Sequence, residues 1–111
     1  MMSVALDARN RYEDLDIKKD VIFFRLGAPG LVCFHGTNYN IRKRMTGEQI
    51  QELIHDASFF KVGSDCYVNI GRIADIENDR LYFGEKGPES KSLPVSKRNQ
   101  QTLRSLISSA R

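Results

Sequence analysis

Apolar residues come in short clusters along this chain, and the spacing between them sets the element pattern. Val21-Ile22-Phe23-Phe24 and Leu31-Val32-Cys33-Phe34 are apolar runs of strand length, separated by Gly27-Ala28-Pro29-Gly30. Two glycines free to take positive φ and a proline of fixed φ make that separator a turn. Asp16 to Asp20 reads as a polar step into the first run, and Val4-Ala5-Leu6 as a candidate edge strand. After a second turn at Gly36-Thr37-Asn38, Tyr39 to Met45 alternates imperfectly, as a half-exposed strand does.

The period then changes. Thr46-Gly47-Glu48-Gln49 has the form of a capping box, and Ile50, Leu53, Ile54 and Ala57 recur at helical spacing behind it. This predicts a short helix ending near Asp56 to Ser58. Extended structure resumes at Phe59 to Val62, breaks at Gly63-Ser64-Asp65 and continues through Cys66-Tyr67-Val68; Asn69 reads as a turn former whose amide bonds nearby backbone. Ile73 to Ile76 and Leu81 to Phe83 flank a hairpin turn at Glu77-Asn78-Asp79. Lys86 to Glu89 makes another turn before Leu93-Pro94-Val95, where proline suits an edge strand or a strand end. Ser96 caps a closing helix with the apolar stripe Leu103, Leu106, Ile107 and Ala110. The expected fold class is α+β: mostly antiparallel strands, one short mid-domain helix and a C-terminal helix.

Length and composition add limits. The 111 residues, 41% hydrophobic and 28% charged, have globular composition and the size of a single domain, 1–111. No apolar run approaches the roughly 20 residues of a membrane span, and no basic segment followed by an apolar stretch opens the chain as a signal peptide would. A cytoplasmic location is therefore expected. The two cysteines, Cys33 and Cys66, fit neither a zinc ribbon nor a redox pair and read as small reduced hydrophobes.

Charge is uneven. Residues 86–111 hold six basic groups against the single acid Glu89, whereas the other 85 residues hold 11 basic and 13 acidic groups. On charge alone a solvated basic helix is the simpler reading. A polyanion partner is the other.

Candidate enzyme chemistry is sparse. His35 sits beside a turn and His55 on the polar side of a short helix, neither in a metal-ligand spacing. Gly63-Ser64-Asp65 lacks the strand-to-helix elbow of a nucleophilic serine, and Gly27 to Gly30 lacks the Gly-Lys-Ser/Thr of a phosphate loop. The carboxylate pairs Asp14/Asp16 and Asp75/Glu77 read as solvated edge charges. The chain is expected to be no enzyme and to need no cofactor or metal. Ser96-Lys97-Arg98-Asn99 offers more: a hydroxyl, two cations and an amide at a helix N-terminus, where backbone N–H groups favour a phosphate.

Taken in order, Phe59-Phe60-Lys61, Tyr67-Val68-Asn69, Ile73 with Ile76, and Leu93-Pro94-Val95-Ser96-Lys97 resemble the LytTR family of DNA-binding domains. Asp20-Val21-Ile22-Phe23-Phe24 resembles that family's opening strand, and the helix from Thr46 to Ala57 falls where the family keeps its mid-domain helix. The resemblance covers about residues 3–108. It implies a small mostly-β domain, a bacterial-type transcriptional regulator whose loops enter successive major grooves of double-stranded DNA. Carried onto this chain, the DNA-contacting residues would be Lys61, Gly63 and Ser64 at the break, and Lys97, Arg98 and Asn99 at the last helix, with the loop after Phe24 as a third point.

The departures are specific. The break holds Gly63-Ser64-Asp65 where the family has histidine and polar readers, Asp65 has the wrong sign for phosphate, and Lys97 replaces an arginine. The family commonly joins this domain to a phosphate receiver, for which 111 residues leave no room. The alternative function is a protein-interaction module on the same fold that has lost base reading and modulates another regulator. Beyond DNA, the expected partners are a second copy or a regulatory protein, and no membrane.

Overall fold

The computed structural model describes residues 17–84 and 90–109. The suggested strand at Val4 to Leu6, the carboxylate pair Asp14/Asp16 and the turn at Lys86 to Glu89 lie outside them. Helix α1 (Ile17–Asp20) replaces the expected polar step: its single turn closes with Val21 N–H donating to Ile17 O at 3.3 Å. Strands β1 (Phe23–Leu26), β2 (Leu31–His35) and β3 (Asn40–Arg44) follow as a meander. Helix α2 (Gly47–Ile54) comes next, then β4 (Phe59–Lys61), β5 (Cys66–Asn69) and a 3-10 turn at Ile70–Arg72. Strands β6 (Asp75–Glu77), β7 (Arg80–Tyr82) and β8 (Ser92–Pro94) precede helix α3 (Lys97–Ser109).

All strand pairs are antiparallel. The first sheet runs β3-β2-β1-β5-β4 and the second β6-β7-β8. Both faces of the first sheet are covered at Phe23 and Phe24 of β1 and along β5, which is why Val21 to Phe24 and Cys66 to Val68 read as continuous apolar runs rather than alternating ones. One face carries Phe24, Val32, Phe34 and Tyr67 against Leu53 of α2. Phe24 is fully buried there, with the Phe59 ring edge-on at 5.0 Å and the Tyr67 ring stacked at 5.0 Å. The opposite face carries Phe23, Cys66 and Val68 against Leu81 and Leu93 of the second sheet and Leu103 of α3. The α+β expectation therefore holds.

Local signals set the ends of the helices. The Thr46 hydroxyl accepts from Gln49 N–H at 3.1 Å and Thr46 N–H donates to Gln49 Oε1 at 2.9 Å, the two halves of a capping box. Helix α2 ends at Ile54, earlier than expected, and Ala57 is exposed beyond it. The Ser96 hydroxyl accepts from Asn99 N–H at 3.2 Å and caps α3. The stripe of α3 differs from expectation: Leu103 is buried and Ile107 half-buried, but Leu106 is 38% exposed. Gln100, half-buried one turn before Leu103, donates through its amide to Asp79 Oδ1 at 2.8 Å and Val95 O at 3.2 Å. Asn78 (φ 53°) and Asp79 (φ 61°) make the β6–β7 turn, a left-handed pair that asparagine and aspartate tolerate better than most residues.

Candidate nucleic-acid interface

Three segments meet at one end of the first sheet. The β1–β2 loop closes through Gly27 N–H to Leu31 O at 2.9 Å, with Gly30 at φ 79° as the one glycine there that requires the left-handed region. Gly30 O accepts from Met45 N–H at 2.8 Å, which fixes the end of β3 beside that loop. The β4–β5 turn closes through Val62 N–H to Cys66 O at 3.0 Å, and Asp65 O accepts from Leu26 N–H at 2.9 Å. The β1–β2 loop and the β4–β5 turn are thus hinged on adjacent strands.

Lys61, Gly63 and Ser64 are all exposed on the β4–β5 hairpin. Lys61 pairs across to Tyr67 in register, so its side chain leaves the sheet on the face that carries Tyr67. Lys97 and Arg98 are exposed in the first turn of α3, and Asn99 is half-buried with its N–H held by Ser96. The two trios belong to different layers. The hairpin belongs to the first sheet, whereas the start of α3 is anchored to the second by Val95 N–H on Asp79 O at 2.9 Å and by the Gln100 amide.

Asp65 is less hostile to an anion than its sequence position implies. The Arg25 guanidinium lies 3.9 Å from its carboxylate, both side chains about half exposed, an arrangement that offsets the negative charge at the turn. Arg25 is the functional candidate that sequence reading missed. Its signal is register, not spacing: it is 40 residues away from Asp65 in sequence but adjacent through the β1–β5 pairing Arg25↔Cys66.

The two cysteines differ. Burial pushes the Cys66 thiol up, with partial relief from Arg25 and a smaller contribution from Asp65, and favours the neutral thiol. Cys33 is half-buried and stands in register between Arg25 and Arg42, although no cation adjoins it in sequence. Asp75 and Glu77 are exposed on a short strand, in keeping with edge charges. No group of three His, Cys, Asp or Glu among the described residues is gathered as a metal site would require, and no helix among them is long and apolar enough to cross a membrane.

Fold and surface together define a class of small antiparallel α+β domain, with exposed turns at one sheet end and a last helix that opens on two exposed cations. Comparison makes the class particular. Residues 15–108 match the LytTr DNA-binding domain family, and the chain belongs to that family. Among solved structures, the LytTr DNA-binding domain of a protein described as a methyl-accepting/DNA response regulator from Bacillus cereus matches at a TM-score of 0.52 and 14% identity, over 81% of this chain and 83% of that one. That likeness establishes a shared fold. No curated protein matches the sequence.

Proposed function

We propose that this domain binds double-stranded DNA in a sequence-directed way as a cytoplasmic transcriptional regulator, with the β4–β5 turn and the first turn of α3 entering major grooves. The observation that carries the reading is the start of α3. Lys97 and Arg98 are exposed there, have no ion-pair partner among the described residues, and share the first turn with no acidic residue. Cations at that end of a helix oppose its dipole, a disadvantage of about 0.3–1 kcal/mol each that a bound phosphate reverses. The hydroxyl of Ser64 and the backbone of Gly63 supply the second point, with Lys61 beside them as a phosphate contact.

The test is Lys97→Ala with Arg98→Ala, read by gel shift on a duplex that the wild-type protein selects from a random pool and on its scrambled counterpart. Affinity for the selected duplex is expected to fall at least about tenfold, or about 1.4 kcal/mol, while the melting temperature is held or raised because the dipole conflict is relieved. Unchanged affinity with an intact fold overturns the role of α3. A wild-type protein that shows no salt-dependent binding to any duplex overturns the DNA reading and favours a module that modulates another regulator.

A further inference from the structure

Among the described residues, the second sheet and α3 pack on only part of one face of the first sheet. Residues directly opposite in antiparallel register share a face, so Phe23, Cys66 and Val68 lie under that cover, while Arg25, Cys33 and Arg42 form one rung running from β1 across β2 to β3. Arg44, two residues beyond Arg42 and opposite Leu31, is on the same face. Adjacent strands are about 4.8 Å apart and residues two apart on a strand about 6.8 Å, so the three arginines span roughly 10 Å by 7 Å.

All three are exposed, and the paired strand residues of this face include no carboxylate, with Asp65 at its edge beside Arg25. Arg42 and Arg44 have no ion pair among the described residues, and the Arg25 contact with Asp65 is long at 3.9 Å. His35 is the next residue on that face of β2. Burial first, then Lys91 and Arg25, hold its imidazole below the usual value against a smaller opposing hydrogen bond from Asn40.

The row is also continuous with the turns already described. Arg25 touches Asp65 of the β4–β5 turn, and Arg44 precedes Met45, whose N–H is held by Gly30 of the β1–β2 loop. We propose that Arg25, Arg42 and Arg44 form a phosphate-binding row on this exposed part of the first sheet, extending the DNA contact from the turns across β1, β2 and β3. This rests on the DNA-binding reading above and deepens it. The row reads no bases. Guanidinium groups with no other acid to satisfy among the described residues suit backbone phosphates, where they fix orientation and raise affinity for any sequence.

The experiment is a salt titration by fluorescence anisotropy on the selected and scrambled duplexes of about 30 base pairs, near three helical turns. It uses the wild type, Arg42→Gln with Arg44→Gln, and the charge-keeping Arg42→Lys with Arg44→Lys. The glutamine pair is expected to weaken binding to both duplexes by similar factors and to flatten the slope of log affinity against log salt by about 2, since each phosphate contact contributes about 0.9. The lysine pair is expected to keep the wild-type slope. If wild type binds and the glutamine pair leaves slope and affinity unchanged, the row is overturned while the DNA reading stands. A lysine pair as weak as the glutamine pair means that the arginines act structurally, which also overturns it. Sedimentation that shows a change in self-association instead of a change in slope assigns the face to a second copy of the chain. Absence of duplex binding by wild type removes both readings together.

Discussion

Both ends of the Asn69 amide are engaged: Nδ2 donates to Val21 O at 2.7 Å and Oδ1 accepts from Gly71 N–H at 3.1 Å, with the side chain buried. A turn-forming asparagine bonded to nearby backbone was legible in sequence, but the reach to Val21 was not, because only the pairing of β5 with β1 brings the two together. His35 shows the same contrast. Its sequence position beside a turn says nothing of its stacking on Phe23, ring centroids 4.3 Å apart, or of the cations around it. Its folded-state pKa lies below the ordinary 6.5, so the unfolded chain takes up the proton first as pH falls. The stability that neutral His35 contributes is therefore present above about pH 6.5 and is lost as pH drops from there toward the lowered folded value. Melting temperature is expected to fall between pH 7.5 and pH 5 more steeply in wild type than in His35→Gln. Parallel curves would contradict this.

At the scale of elements, β4 shows why alternation failed as a guide. Phe59 and Phe60 are neighbours and point to opposite faces, yet both pack: Phe59 is buried with Phe24 and Tyr67, and Phe60 is half-buried against the other cluster. Truncating Phe59 to alanine is expected to cost about 3–5 kcal/mol in urea unfolding, and truncating Phe60 clearly less, because its ring already meets solvent. Equal losses would mean that the two clusters are equally tight. The capping box of α2 was readable because its four residues are contiguous, whereas the anchoring of Gln100 was not, because it depends on Asp79 from another element as well as on Val95. The same holds for the candidate interface. Lys97 and Arg98 follow a contiguous signal, while Arg25, Arg42 and Arg44 become neighbours only through register.

At the scale of the molecule, one side chain ties the far end of the first sheet to the segment that leads into β8. The Lys91 ammonium donates to Gly36 O at 2.6 Å, Asn40 Oδ1 at 2.8 Å and Tyr39 O at 2.9 Å. Burial lowers its pKa, with a smaller opposing effect from Cys33, but the three oxygens give each of its protons an acceptor. Gly36 is tightly specified at the same place, since an added Cβ would collide with the Tyr39 ring. Lys91→Met keeps the apolar stem and removes the donors, and is expected to lower stability by about 1–3 kcal/mol in chemical unfolding. A variant as stable as wild type would mean that water replaces the ammonium without loss.

The strand order of the first sheet has a consequence for how the chain reaches this state. β1, β2 and β3 are consecutive and close over short turns, so their meander can form early from local contacts. β5 must instead cross from beyond α2 to lie against β1, with Phe23 opposite Val68, and β4 then occupies the outer edge. Closing that long loop carries an entropic penalty before any contact compensates it. The β1–β5 seam is therefore expected to be the slow step of assembly, and the hydrogen bond from Leu26 N–H to Asp65 O, which fixes the Gly63 to Asp65 turn against β1, forms only with that seam.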